Sequence, residues 1–177
     1  FNDGAEVISK ESAEERGFAA PTSDRFWLVD PLDGTKEFIN ERDEFTVNIA
    51  LIDDGRPIMG VVVAPALGKT WAGSPDGAFM QDVGGENRRD IRVREVPTSG
   101  LTVTASRSHA DPAALEALLS GQKVNEVINA GSSLKFCRVA EGAADLYTRQ
   151  GRTMEWDTAA GQAVAEAAGA ARLRIDD

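Results

Sequence analysis

Continuous and alternating runs of apolar residues divide the first half of the chain into strand-sized pieces. The run Phe26–Val29 is apolar throughout and ends at Asp30-Pro31, which predicts a buried strand that stops at the proline. A second run covers Phe45–Ile52, and Asp53-Asp54-Gly55 is a turn signal before the chain returns over Ile58–Val63. Because strands joined by so short a turn run antiparallel, the pattern predicts a largely antiparallel sheet.

Shorter pieces extend this sheet on one side, and a polar segment precedes it. Further strand-sized pieces are predicted at Lys69–Gly73, Ala78–Gln81 and Ile91–Val96. The opening segment Phe1–Asp24 is polar and rich in loop-forming residues around a short apolar stretch at 6–8, so it is predicted to be mostly loop.

The pattern changes near Pro97–Gly100, after which strands alternate with helices. Strands are predicted over Leu101–Ala105 and Val124–Ile128. Helices are predicted from Pro112 with Asp111 as its N-cap, from Ser132 or Ser133 to Glu141, and from Asp157 to about Ala168 with Gly169 as C-terminal cap. This alternation favours a parallel or mixed second sheet. We therefore expect an α+β fold with an antiparallel-sheet half at 1–97 and an α/β half at 98–177.

Composition narrows the partners of such a domain. The formal net charge of −10 argues against broad binding to nucleic acid or anionic membranes, although a local cation can still attract a small anionic substrate. Neither a membrane span nor a signal peptide is expected. The only cysteine, Cys137, excludes an intrachain disulfide and lies in an apolar helical stripe, which favours a buried thiol and a cytoplasmic location. With one histidine, His109, a histidine-rich zinc site is excluded.

Acidic residues are therefore the main candidates for chemistry, and two of them follow the first strand. Asp30 and Asp33 lie on either side of Pro31-Leu32, and Gly34 allows a sharp turn after them. Mg²⁺ prefers oxygen ligands, which these two carboxylates and the Leu32 carbonyl could supply. A helix that starts after Gly34 would direct its free N–H groups and the Thr35 hydroxyl at a phosphate. The structural alternative is an aspartate-rich turn that only caps a helix.

A second acidic motif, Trp156-Asp157, lies at the start of the last predicted helix. Asp157 stands where an N-cap residue is expected, so simple capping is its structural alternative. Together with Asp-Pro-Leu-Asp-Gly-Thr at 30–35, it resembles the paired signature of the inositol monophosphatase superfamily. The longer strings at 30–38, 131–137 and 151–157 resemble its 3'(2'),5'-bisphosphate nucleotidase branch. This resemblance runs from about Val7 to Gly169 and implies a layered αβαβα sugar-phosphatase fold.

The resemblance implies a site that holds two or three Mg²⁺ ions. The metal ligands would be Asp30, the Leu32 carbonyl, Asp33 and Asp157. In such a site the metals bind the phosphate and activate the attacking water, without a covalent phospho-enzyme. Asp33, Thr35 and Glu11 are the candidate catalytic residues, and Thr35 would orient that water. Gly34, Thr35 and Lys36 would contact the scissile phosphate.

Contacts to the rest of the substrate are expected in the second half. By the family's pattern, His109, Ser132 and Lys135 would contact the nucleotide or its second phosphate. A surface position for His109 and a helix-capping role for Ser132 are the structural alternatives. Gln150 stands where inositol phosphatases carry a glutamate for the sugar hydroxyls, which disfavours inositol phosphate as the substrate.

The sequence departs from the family before the first aspartate. There the family has a pair of glutamates, the first of which binds metal, whereas this chain has Lys10-Glu11. A protonated lysine cannot bind Mg²⁺. Three interpretations stay open: Glu11 takes over the catalytic role, activity is impaired, or the sequence differs from the usual protein. Nothing before Phe1 supplies the family's N-terminal helical pair, so a trimmed core without these helices is expected.

The leading hypothesis is a Mg²⁺-dependent hydrolase that removes the 3'-phosphate of adenosine 3',5'-bisphosphate to give AMP and phosphate. The resemblance implies a role in sulfur assimilation and sensitivity to lithium, and it leaves a homodimer open. One alternative keeps the fold and metals but acts on inositol phosphate or fructose 1,6-bisphosphate. The other is a metal- or nucleotide-binding homologue that does not turn over substrate.

Overall fold

Two β-sheets and the helices packed on them form the part of the chain that a computed structural model describes, which is residues 4–17, 20–106, 112–149 and 151–172. The larger sheet has seven strands that neighbour one another in sequence order. These are β1 (Glu6–Ser9), β2 (Arg25–Asp33), β3 (Thr46–Asp53), β4 (Arg56–Ala64), β5 (Lys69–Ser74), β6 (Gly77–Asp82) and β7 (Arg89–Ile91). The first pair is parallel and all later pairs are antiparallel, which confirms the predicted largely antiparallel sheet.

The smaller sheet contains only parallel strands. Its strands are β8 (Leu101–Ser106), β9 (Val124–Ala130) and β10 (Leu146–Tyr147), in the spatial order β10-β8-β9. Parallel neighbours need a crossover connection. The helices α3 (Pro112–Leu118) and α4 (Leu134–Ala140) lie within the two connections, so the alternation predicted for this half is confirmed.

The longest helix of the described residues, α5 (Glu155–Ala167), packs on the larger sheet. Its contact with β4 and β5 is made through backbone. A Cβ atom on Gly60 would lie 2.3 Å from the carbonyl oxygen of Ala160, and one on Gly73 would lie 2.6 Å from the Cα of Val164. Trp71 is buried in the core beneath this contact. Because no side chain separates the helix from the sheet at these two points, the distance between α5 and the sheet is tightly constrained.

Local signals in the sequence predicted several elements correctly. Asp54 and Gly55 both have positive φ, 49° and 69°, and they join β3 to β4 as a two-residue hairpin turn of the kind that suits a twisted ladder. The short helix α2 (Thr35–Ile39) begins directly after Gly34, as predicted. Helices α4 and α5 begin and end within about two residues of their predicted bounds. Cys137 is fully buried, as predicted. None of the helices in the described ranges is long and apolar enough to cross a membrane.

Two predictions about local structure were wrong. The described part of the opening segment is not mostly loop, since it forms β1 and then α1 (Lys10–Arg16), which Ser9 and Ser12 cap reciprocally. Both elements are short, so hydrophobic periodicity could not reveal them. The predicted strand Ile91–Val96 ends at Ile91, because the Val93 amide donates to the carbonyl of Ala168 beyond α5 rather than to a neighbouring strand. The proposed division near residue 97 stays a prediction.

Candidate functional site

A β-bulge brings Asp30 and Asp33 to the same side of the sheet. In the ladder between β2 and β3, Asp30 pairs with Asn48 and Asp33 pairs with Thr46, so three steps along β2 match two steps along β3. Residues three apart in a regular strand point to opposite faces. The extra residue in the bulge shifts the alternation of side chains between the two faces by one, so Asp30 and Asp33 point to the same face. The two side chains and Asp157 converge, with one oxygen atom of each within 4.8 Å of the others. We refer to these three residues as the acidic cluster.

Asp30 is fully buried at the centre of this cluster. Its Oδ1 accepts a hydrogen bond of 3.0 Å from the Leu32 amide, whereas its Oδ2 is buried and has no hydrogen-bond partner among the described residues. Burial raises the pKa of Asp30 to about 7, against the opposing charge of Lys10 and with a further increase from Asp33. A buried carboxylate oxygen without a partner is costly, so this geometry favours a bound cation.

Asp33 is held by three donors. Its Oδ2 lies 3.0 Å from the hydroxyl of Ser133, 3.3 Å from Nδ2 of Asn48 and 3.4 Å from the hydroxyl of Thr46. Burial raises its pKa, and the charge of Asp157 adds to this effect. The same Ser133 hydroxyl lies 2.8 Å from the main-chain carbonyl of Asp157. Since a hydroxyl has one proton, it donates to one of these oxygens at a time. Ser133 thus links Asp33 to the start of α5.

Asp157 caps α5 from inside its first turn. The N-cap position belongs to Met154, not to Asp157 as the sequence suggested, because the helix begins two residues earlier, at Glu155. From the third helical position, its Oδ2 accepts hydrogen bonds of 3.0 Å from the Met154 amide and 3.0 Å from the Thr153 hydroxyl. Asp157 therefore both caps α5 and belongs to the acidic cluster, although the sequence had presented these two roles as alternatives.

Lys10, rather than Glu11, reaches the acidic cluster. Its Nζ donates to the Leu32 carbonyl at 3.3 Å and lies 3.7 Å from Oδ1 of Asp30. Glu11 is exposed to solvent in the first turn of α1 and is not brought into the cluster. Successive helical residues point about 100° apart, so both cannot face the same site. The Leu32 carbonyl also lies 3.4 Å from the hydroxyl of Thr35, its second donor.

The acidic cluster lies at a cleft of about 240 Å³ that also contains basic side chains. Gly34, Thr35 and Lys36 line it beside the cluster. Gly34 has φ 85°, and a Cβ there would approach the carbonyl of Glu44 to 3.1 Å, so both conformation and space favour glycine. Four cationic side chains line the cleft. Lys10 contacts the acidic cluster directly, and we call the other three, Lys36, Lys135 and Arg149, the basic set.

Lys135 is a buried member of the basic set. Its Nζ donates to the carbonyl of Ser132 at 2.6 Å and to that of Ala130 at 3.2 Å, and it lies 5.4 Å from the centre of the Tyr147 ring. Burial lowers its pKa to about 8, although the charge of Asp33 opposes this. Lys135 therefore orders the turn before α4 in addition to bringing positive charge to the cleft.

Ser132 presents an unused hydroxyl to the cleft. Its backbone has a φ of 44°, in the left-handed region, and its buried Oγ has no hydrogen-bond partner among the described residues. A buried hydroxyl is normally paired, so one that lines a cleft is available to a ligand.

Sequence reasoning missed two contributors, Arg149 and the hydrogen-bond network of Ser133. Arg149 follows the two-residue strand β10, where neither periodicity nor a motif marked it. Ser133 was recognised only as a possible helix start, since its partners lie on β2, β3 and α5. His109 and Gln150 lie outside the described residues, so their roles stay predictions.

Comparison with known proteins places this geometry in context. A model of the inositol monophosphatase family matches residues 3–177. The chain is 53% identical over 146 residues to the 3'(2'),5'-bisphosphate nucleotidase CysQ of Escherichia coli strain K12, which covers 82% of the chain and 57% of that relative. The chain thus spans little more than half the length of the curated relatives that it matches.

Solved structures show the same architecture. CysQ from Bacteroides thetaiotaomicron, a bacterial member of the inositol monophosphatase family, superposes with a TM-score of 0.79 at 38% identity, over 95% of this chain and 68% of that one. The inositol monophosphatase from Anabaena (Nostoc) sp. PCC 7120 gives 0.76 at 28% identity, over 94% and 65%. These similarities confirm the predicted α+β fold class.

Proposed function

The chain belongs to the inositol monophosphatase family, and we propose from this membership and its cleft that it is a Mg²⁺-dependent phosphomonoesterase that converts adenosine 3',5'-bisphosphate to AMP and phosphate. One observation carries the proposal: Asp33 and Asp157 of the acidic cluster line the same cleft as the basic set. Carboxylates hold a cation, and lysine and arginine attract phosphate. A phosphorylated small molecule is the substrate class that uses both.

The acidic cluster has the donor chemistry of a hard divalent cation. Asp30, Asp33 and Asp157 supply carboxylate oxygens, the Leu32 carbonyl adds a further oxygen, and Oδ2 of Asp30 is buried and unpartnered among the described residues. Oxygen-only donor sets suit Mg²⁺ rather than softer metals. When bound, the metal would neutralise phosphate charge and lower the pKa of water.

The chain's own groups would then bind and orient the substrate. The Thr35 hydroxyl, next to the Leu32 carbonyl, is placed to hold a water molecule beside the cluster. Gly34 and Lys36 would contact the scissile phosphate, and the unpartnered Ser132 hydroxyl would donate to the remainder of the substrate. Positioning of this kind accounts for a large share of catalysis in phosphoryl transfer.

The basic set supports a substrate with two phosphates. Lys135 and Arg149 are close enough that the charge of Arg149 lowers the pKa of Lys135. An additional phosphate beside them would relieve that repulsion, whereas a substrate with one phosphate would occupy only the acidic side. The 53% identical relative is named as a bisphosphate nucleotidase, which agrees with this assignment.

The proposal is tested by measuring phosphate release with and without Mg²⁺ from adenosine 3',5'-bisphosphate, inositol 1-phosphate and 5'-AMP. We expect Mg²⁺-dependent release from the bisphosphate and little from 5'-AMP, which lacks the 3'-phosphate. Preference for the inositol ester would overturn the substrate assignment but not the metal site. Release from none of the three would contradict the proposed activity.

The proposal has three further parts, on location, assembly and the division of the chain. We propose a cytoplasmic location from the single cysteine, and a homodimer because members of the family often dimerise. We also propose that 1–97 chiefly binds metal and 98–177 chiefly binds substrate, with the exception that Asp157 joins the acidic cluster from the second half.

A further inference from the structure

The ammonium group of Lys10 lies among oxygen atoms that a metal ion would use. Its Nζ is 3.3 Å from the Leu32 carbonyl oxygen and 3.7 Å from Oδ1 of Asp30. The lysine side chain is 24% exposed, and that of Asp30 is fully buried. Lys10 and a divalent cation are therefore alternatives for the same two oxygens, because both cannot approach them at once.

The backbone builds this placement of Lys10. Strand β1 pairs in parallel with β2, with Ser9 opposite Val29. The Ser9 hydroxyl accepts from the Ser12 amide at 3.2 Å, and the Ser12 hydroxyl lies 3.1 Å from the Ser9 amide. This reciprocal cap starts α1 at Lys10. The side chain of Lys10 consequently lies beside the end of β2, next to Asp30 of the acidic cluster.

Charge balance indicates what the ammonium does there. The acidic cluster contains three carboxylates, and Lys10 contacts it through Asp30. The charge of Lys135 also acts on Asp33, but it is the same with and without Lys10, so the charge balance differs only at position 10. With all three carboxylates ionised, one lysine leaves two negative charges, which one divalent cation neutralises. The same cluster without the lysine has three negative charges, which one such ion cannot neutralise. Buried charges must be compensated, so the number of bound ions depends on the lysine.

We propose that the ammonium of Lys10 acts as a tethered cation that takes one metal position, so that the free chain binds one divalent ion where the site without the lysine binds two. This inference rests on the proposed metal-dependent function. Lys10 is then a positioning residue, since it acts through Asp30 and the Leu32 carbonyl rather than on the substrate.

The experiment is a titration of the chain with Mn²⁺ alone. Binding is measured by calorimetry and, independently, by the electron paramagnetic resonance signal of free Mn²⁺. Lys10→Met removes the charge at similar length, and Lys10→Gln is a second neutral variant that can still donate to the Leu32 carbonyl. Lys10→Arg keeps the charge. Lys123→Met is the matched control, because Lys123 is exposed, donates to the Thr98 carbonyl and does not line the cleft.

We expect one Mn²⁺ per chain for the wild type, Lys10→Arg and Lys123→Met. For Lys10→Met and Lys10→Gln we expect a second ion, or binding at least about tenfold tighter, because a neighbouring positive charge has been removed. Equal stoichiometry and affinity in wild type and both neutral variants would overturn the role of Lys10 and leave the metal site intact. Absence of saturable binding in every folded variant would instead contradict the proposed metal dependence.

Discussion

The acidic cluster and the basic set share one cleft but are held in different ways. All three carboxylates of the cluster accept hydrogen bonds from main-chain or side-chain donors, and Asp33 alone has three. In the basic set only Lys135 is buried and bound in this way, whereas Lys36 and Arg149 are exposed.

This difference follows from what each group has to bind. A small cation such as Mg²⁺ demands oxygen atoms at nearly fixed positions, so its ligands need a rigid sheet and firm hydrogen bonds. A phosphate is larger, and long cationic side chains can adjust to it from the surface. Substitutions in the acidic cluster should therefore reduce turnover or metal binding, and those in the basic set should affect substrate binding.

The largest effect is expected for Asp33→Asn. It removes a metal ligand, and metal ions contribute several kcal/mol to such reactions, so we expect Mg²⁺-dependent turnover to fall by about 10³-fold or more. Thermal unfolding without metal should change little, because the variant also removes one of three clustered, mutually repelling carboxylates. Asp76→Asn, in the exposed turn between β5 and β6, is the matched control. Normal turnover in Asp33→Asn would sink the metal assignment.

Ser133→Ala tests the hydrogen bonds that support the acidic cluster while leaving every ligand in place. The substitution deletes the hydroxyl that lies between Asp33 and the carbonyl of Asp157. Loss of such a supporting hydrogen bond typically weakens metal affinity by about 10–100-fold. Mn²⁺ titration of this variant measures the effect, with Ser120→Ala in the exposed turn after α3 as control. Unchanged affinity would show that the cluster does not depend on this network.

A smaller and different effect is expected for Arg149→Met. Loss of a charged hydrogen bond to phosphate should raise the KM for adenosine 3',5'-bisphosphate roughly tenfold, with kcat nearly unchanged. The KM for 3'-AMP, which lacks the second phosphate, should change much less. Arg56→Met at the exposed start of β4 is the matched control. An equal change for both substrates would assign Arg149 to the scissile phosphate instead.

The parts of the site that the sequence predicted are those encoded over a few residues. Asp30, Asp33 and Gly34 stand together in one string, so their shared role could be inferred from a strand end and a turn. Asp157 is distant in sequence, and only the resemblance connected it to the first two. The bulge that aligns Asp30 with Asp33 depends on pairing with β3, which a single strand does not reveal.

The parts that sequence reasoning missed depend on non-local contacts. Lys10 was recognised as a departure from the family, but its contact with the Leu32 carbonyl follows from the parallel pairing of β1, a strand too short to be predicted. The network of Ser133 joins four elements, so no local pattern marks it. The antiparallel sheet and α5, by contrast, are marked locally, by apolar runs with turn residues between them and by the glycine that ends the helix, and both were predicted well.

The close backbone contact between Gly60 on β4 and Ala160 on α5 makes the geometry of the cleft sensitive to substitution of Gly60. A methyl group at Gly60 would have to push α5 outward, at a cost of about 1–3 kcal/mol for overpacking. Ala160 lies one helical turn from Asp157, so the displacement would carry a metal ligand with it. In a mutational scan for activity, substitutions of Gly60 should therefore cause losses like those of the carboxylates, although Gly60 is uncharged and does not line the cleft.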